Sequence, residues 1–138
     1  MKTPRGIRNH NPGNIDRTAD KWQGMAADQS SDSRFVVFVA PHWGIRALAK
    51  VLLSYQRKHG INTIRGIIDR WAPPVENNTD AYVSQVAKAC GVEPDDTIDI
   101  ENKAVLRALV SSIIKHENGQ QPYGAGVIDL GIDLALGK

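Results

Sequence analysis

The chain has 138 residues, 41% of them hydrophobic and 23% charged, enough for one sizeable core but not for a separate binding module beside it. A net charge of +2 is mildly basic and lacks the strong positive bias of a dedicated nucleic-acid binder. Cys90 is the single cysteine, so no internal disulfide forms, and no run approaches the roughly 20 apolar residues of a membrane helix.

Residues 1–33 are polar and punctuated by Gly, Asn and Pro, as in Asn9-His10-Asn11-Pro12-Gly13-Asn14, which predicts turns rather than a helix. Arg34-Phe35-Val36-Val37-Phe38-Val39 reads as a short strand ended by Pro41, with a partner near Trp22 to Ala27, giving a small β-hairpin. After residue 42 the period becomes helical. Ile45, Leu48, Leu52 and Tyr55 define a first helix, ended by Gly60. Ile64, Ile67, Ile68 and Trp71 define a second, stopped by Pro73-Pro74. Asn78 or Thr79 caps a third that runs to about Cys90 and Gly91. A fourth runs from about Asn102 to Glu117, with Asn118-Gly119 as its stop. The fifth, from about Ala125 to Leu136, is apolar on most sides and is expected to be buried. The fold class is therefore mostly α: one domain over 1–138, with about five helices around a core and a β-hairpin near the N-terminus.

Glu117 is the chemically informative carboxyl. It follows Ile113 by four residues and Val110 by seven, so it falls on the apolar stripe of its helix. It also stands at the helix C-terminus, where the macrodipole is negative. Partial burial and that dipole both favour the protonated acid, which a general acid requires. A frayed last turn, with Glu117 in water or paired to a cation, accounts for the same residues.

The string Ser112-Ile113-Ile114-Lys115-His116-Glu117-Asn118-Gly119 resembles the catalytic helix end of the lysozyme superfamily. Lytic transglycosylases and bacterial glucosaminidases carry an apolar pair followed by Glu-Ser-Gly there; Asn118 replaces the Ser. Asn9 to Ile15 resembles the Asn-rich loop that follows the catalytic Glu in those enzymes. Trp22, Gly24 and Phe35 to Phe38 resemble the next hairpin, and Ile45 to Tyr55 the helix after it. Thr79-Asp80-Ala81-Tyr82 is similar to a stretch that places a tyrosine near the active site. In those families the Glu helix comes first, so the resemblance implies a circular permutation, which is tolerable where the old termini meet at the surface. The whole chain is also similar to small phage-encoded virion or lysis proteins.

The resemblance implies a lysozyme-like domain that cleaves peptidoglycan glycan strands with Glu117 as general acid and base. Glu76 is a second acidic candidate, held after Pro73-Pro74 and near a helix start that suits a permanently charged carboxylate. Tyr82, Asn11, Asn14, Trp22 and Thr79 are candidate substrate contacts. Asn11 and Asn14 serve equally to hold the turn, and Tyr82 to pack on Val86. Trp43 and Trp71 flank apolar helices and are expected in the core. Glycosidases commonly pair two carboxylates. Asp28, Asp32 and Glu76 are possible partners, none convincing by spacing. A single Glu that takes back the proton of the sugar's own 6-hydroxyl gives an anhydro product, so a lytic transglycosylase is favoured over a muramidase or glucosaminidase.

His10, His42, His59 and His116 show no metal-ligand spacing, and no metal or other cofactor is expected. Cys90 is expected to be a buried small residue rather than a nucleophile. No phosphate-cradling glycine loop and no Gly-x-Ser-x-Gly elbow is present. Neither nucleic acid nor membrane insertion is expected as a mode of binding. Met1 to His10 has no apolar run, so no secretory signal is expected. The expected route is synthesis in a host cytoplasm and action at the periplasmic wall, or carriage in a virion beside other virion proteins. The alternative is a non-catalytic phage structural or wall-binding protein of the same fold.

Overall fold

The computed structural model describes residues 3–73 and 78–138. Among them six helices form: α1 (Arg5–Arg8), α2 (Pro41–His59), α3 (Ile64–Trp71), α4 (Thr79–Cys90), α5 (Lys103–Asn118) and α6 (Ala125–Leu136). The last five are the predicted helices, and their ends follow the expected chemistry. Pro41 opens α2, where its missing N–H costs nothing. Thr63, Asn78 and Asn102 accept from backbone N–H groups at the starts of α3, α4 and α5. Gly60, Gly91 and Gly119 close α2, α4 and α5 in the left-handed conformation.

Three expectations change. The single turn α1 lies within the segment read as loop. Pro4 precedes it and its carbonyl accepts from Ile7 and Arg8, while the breakers Asn9, Asn11, Pro12 and Gly13 all come after it. The predicted hairpin is absent as a ladder; the described residues form only isolated antiparallel bridges, Asp16 with Phe35 and Met25 with Phe38. The segment 34–39 changes partner along its length, pairing first with 15–17 and then with 24–26. Side chains fill the gap: Gln29 bonds both the N–H and the carbonyl of Val37, and Asp32 accepts from the N–H groups of Arg34 and Phe35. The alternation still holds in burial, because Val36 and Phe38 are buried while Val39 is exposed. Finally, α6 is not covered all round. Ile128, Ile132 and Ala135 are buried, but Val127 and Leu130 are exposed.

The main core gathers residues of α2 to α6, including Leu48, Leu52, Ile67, Val86, Leu109, Ile113 and Ile132, all essentially inaccessible. The helix α2 packs most extensively on α6, and α4 lies between α3 and α5. A smaller cluster of Val36, Phe38 and Ala47, with Trp22 and Trp43 against it, fixes the loop region on α2. Gly44 lets that loop approach, since a Cβ there would collide with the carbonyl oxygen of His10. Ion pairs Arg107–Asp129 and Lys103–Asp133 join α5 to α6 across the surface. Among the described residues no helix is long and apolar enough to cross a membrane.

Candidate active site

Glu117 occupies the last turn of α5 and is half-buried. Its Oε2 accepts a hydrogen bond of 2.9 Å from the Tyr82 hydroxyl. Tyr82 reaches it from α4, where its ring is buried with Val83 and Val86. The His116 ring stacks on Tyr82 at 3.6 Å between centroids, and His116 Nδ1 lies 2.8 Å from Gln85 Oε1. Burial holds the Tyr82 phenol far above its usual range, and the charge of Glu117 and their shared bond push the same way; a hydrogen bond with Trp71 opposes them. The hydroxyl therefore keeps its proton and orients Glu117 by donating to it.

The next residue ties this helix end to the N-terminal loop. Asn118 is buried, and its Nδ2 donates to the carbonyls of Pro12 and Ile114, each at 2.9 Å. Both neighbours are acceptors, so only the NH₂ side of the amide suits that position. The Asn118 Oδ1 is left against Gly6, where a Cβ would come within 2.7 Å of it and within 2.8 Å of Asn14 Oδ1. Gly6 is thus required by close approach: α1 can lie against the end of α5 only without a side chain.

Between the loop and the helix end lies a cleft of about 410 Å³. Gly13, Asn14, Asp16, Arg34, Trp71 and Glu117 line it, with Phe35 and Tyr55 adding aromatic wall. Arg34 Nε contacts Asp16 Oδ1 at 2.8 Å, and both side chains are more than half exposed. The cleft therefore presents two carboxylates, one guanidinium and several rings, a set suited to a polar ligand with flat faces.

The candidates from sequence fare differently. Glu117, Tyr82 and Asn14 come together. Asn11 is fully buried and spends its side chain on Ile15 N–H and on the carbonyls of Ile15 and Val36, so it holds the turn. Thr79 is buried and donates to the Ala72 carbonyl at 2.7 Å, a bond within the scaffold. Trp22 lines a neighbouring hollow with Asp20, Lys50 and Ser54, which shares Val51 with the cleft. Glu76 lies outside the described residues. Asp28 is not in the cleft wall, and it accepts from Ser30 N–H. Asp32 is also elsewhere, buried under Arg5 and Asn9. Cys90 is half-buried, and desolvation pushes its thiol up to about 11, away from nucleophilic use.

Sequence reasoning missed Asp16, Arg34 and Tyr55, and it favours the core over sugar stacking for Trp71. Asp16 and Arg34 carried a usable signal: each immediately adjoins a segment matched to an active-site loop or hairpin. Trp71 flanks an apolar helix as a core residue would, but it is only partly buried and also lines the cleft.

No family model matches the chain. Protein P5 of Pseudoalteromonas phage PM2 is 38% identical to it over 132 residues, covering 94% of this chain and 80% of that protein. The chain belongs to the Protein P5 family. The match takes in nearly the whole of this family member, including both segments that meet at the cleft: the loop around Asn14 and the end of α5.

Proposed function

We propose that this protein cleaves the glycan strand of bacterial peptidoglycan, with Glu117 as proton donor and then acceptor. The observation that carries the reading is the meeting of Glu117, held by the buried Tyr82, with the Asn14 loop at one cleft, segments from opposite ends of the chain. A circularly permuted lysozyme-like domain requires that meeting, and neither helix packing nor capping does. The irregular 14–39 segment, with its two bridges, takes the place of the hairpin in such a domain.

The chemistry follows from the geometry. Tyr82 holds one oxygen of Glu117, and among the described residues nothing binds the other. A protonated Glu117 gives its proton to the glycosidic oxygen as the bond breaks, leaving an oxocarbenium-like sugar. The Glu117 carboxylate then takes the proton of that sugar's 6-hydroxyl, whose oxygen closes on the anomeric carbon. The product carries an anhydro ring, as a lytic transglycosylase makes. Asp16 supports a second reading, because it is another carboxylate in the wall of the same cleft. In that case water is the acceptor and the product has a reducing end.

Kinship with a phage protein supports a role in infection or host lysis, with the protein carried in a virion or released to the wall. The test is Glu117→Gln beside the unaltered protein on purified peptidoglycan. Wild type is expected to release soluble fragments and the variant to lose at least about a hundredfold in rate. Equal release by both removes Glu117 from the chemistry, and release by neither leaves a wall-binding or structural protein. Mass spectrometry of the fragments separates anhydro from reducing ends, with Asp16→Asn inactive only in the hydrolytic case.

A further inference from the structure

A second concave surface lies on the other side of the Glu117 helix end. The groove between α4 and α5 has a volume of about 760 Å³ and is lined by Gln85, Lys88, Ala89, Ser112, Lys115 and His116. Among the described residues its wall holds two lysines and a histidine and no carboxylate. Among the described residues neither Lys88 nor Lys115 is ion-paired. The cleft has the opposite balance, with Asp16 and Glu117 against Arg34. The two fields meet within one residue, because His116 lines the groove and Glu117 the cleft, and the His116 ring stacks on the tyrosine that holds Glu117.

Lysines in the last turns of α4 and α5 complement their helix dipoles, but that accounts for neither the concavity nor the lack of any acid in it. A ligand with a neutral strand and charged branches matches the pair of surfaces. We infer that the α4–α5 groove binds an acidic peptide, the carboxylate-bearing branch of a strand whose sugars occupy the cleft. The identity of the strand rests on the proposed function; the anionic character of the branch rests on Lys88, Lys115 and His116. The groove lysines attract the carboxylates, whereas the one guanidinium of the cleft, Arg34, is already paired with Asp16, so charge favours the groove for the acidic branch.

The test is nuclear magnetic resonance titration of the whole ¹⁵N-labelled protein with four probes: an uncharged N-acetylglucosamine oligomer, a short peptide bearing free carboxylates, the same peptide fully amidated, and a short DNA duplex. The acidic peptide is expected to shift amides in 85–89 and 112–116 and to bind roughly fivefold or more tightly than its amidated form. The double variant Lys88→Gln, Lys115→Gln, both exposed positions, should lose that preference and leave the oligomer's shifts unchanged. Equal binding of the two peptides, a preference that survives the double variant, or tighter binding of duplex DNA in the groove would each overturn the inference. An oligomer that leaves Gly13, Asn14 and Glu117 unmoved counts against the glycan reading alone, since the peptide arms are read separately.

Discussion

The side-chain amide of Asn118 donates to the carbonyl of Pro12 at 2.9 Å, joining residues 106 positions apart. One bond thereby sets the end of α5, and with it Glu117, against the loop that carries Gly13 and Asn14. The wall of the cleft on the loop side has no regular ladder of its own, so its position depends on such contacts. Asn118→Ala removes this bond and the one to Ile114, and is expected to cost about 1–2 kcal/mol in urea unfolding. Its activity loss should exceed that of a surface substitution matched for stability. Full activity at reduced stability would show that the loop keeps its place without Asn118.

In the proposed chemistry Tyr82 acts through Glu117. It reaches Glu117 by its hydroxyl alone, while its ring packs under His116 and beside Val86. Tyr82→Phe keeps the packing and removes the donor. A hydrogen bond to a charged group contributes about 1.5 kcal/mol, which corresponds to roughly tenfold in rate. The fall is expected in kcat with KM nearly unchanged, since no substrate contact is lost. A change confined to KM would make Tyr82 a binding residue instead.

The helices and the placement of Glu117 are legible in the sequence because both are written locally. Ile113, Val110 and Leu106 place Glu117 on a buried stripe, and Asn102 and Gly119 mark the ends of its helix. The rest depended on distant partners. Asn11 and Asn14 are the same residue type three positions apart. One is consumed by Ile15 and Val36, and the other lines the cleft; only the fold separates them. Asp32 looked available as a second carboxylate until Arg5 and two backbone N–H groups claimed it. The predicted strand failed for a related reason. Its burial alternates as expected, but the side chains of Gln29 and Asp32 replace part of a neighbouring strand, and no periodicity reports that.

Gly44 tests whether the loop must sit where it does. It lies in the first turn of α2, and any Cβ would run into the His10 carbonyl oxygen, which is backbone and cannot rotate away. Gly44→Ala is expected to destabilise the protein by about 3 kcal/mol and to lower its melting temperature accordingly. Activity at a temperature where the variant remains folded should also fall, because His10 leads directly into the loop of the cleft. An unchanged melting temperature would mean that the loop shifts freely on α2.

Asp32 sets the acid stability of the same region. Its carboxylate accepts from Arg5 Nε and Nη2, both at 2.6 Å, and from Asn9 Nδ2 at 2.7 Å. It also accepts from the N–H groups of Arg34 and Phe35. The Arg5 guanidinium is the largest cause holding this carboxyl well below the usual carboxylate range; the backbone bonds and Asn9 add to it, and burial works against them. Because the folded value lies below the unfolded one, the contribution is fully present above about pH 4. It drains away as pH falls below that point. Asp32→Asn removes the charge beside the part-exposed Arg5 and is expected to cost about 2 kcal/mol at neutral pH, the scale of a hydrogen bond to a charged group. The difference between wild type and variant should narrow steadily as unfolding is followed down to acid pH. A gap that stayed constant with pH would mean that Asp32 contributes through shape and neutral hydrogen bonds, and that the charge of the carboxylate adds nothing to the loop's stability.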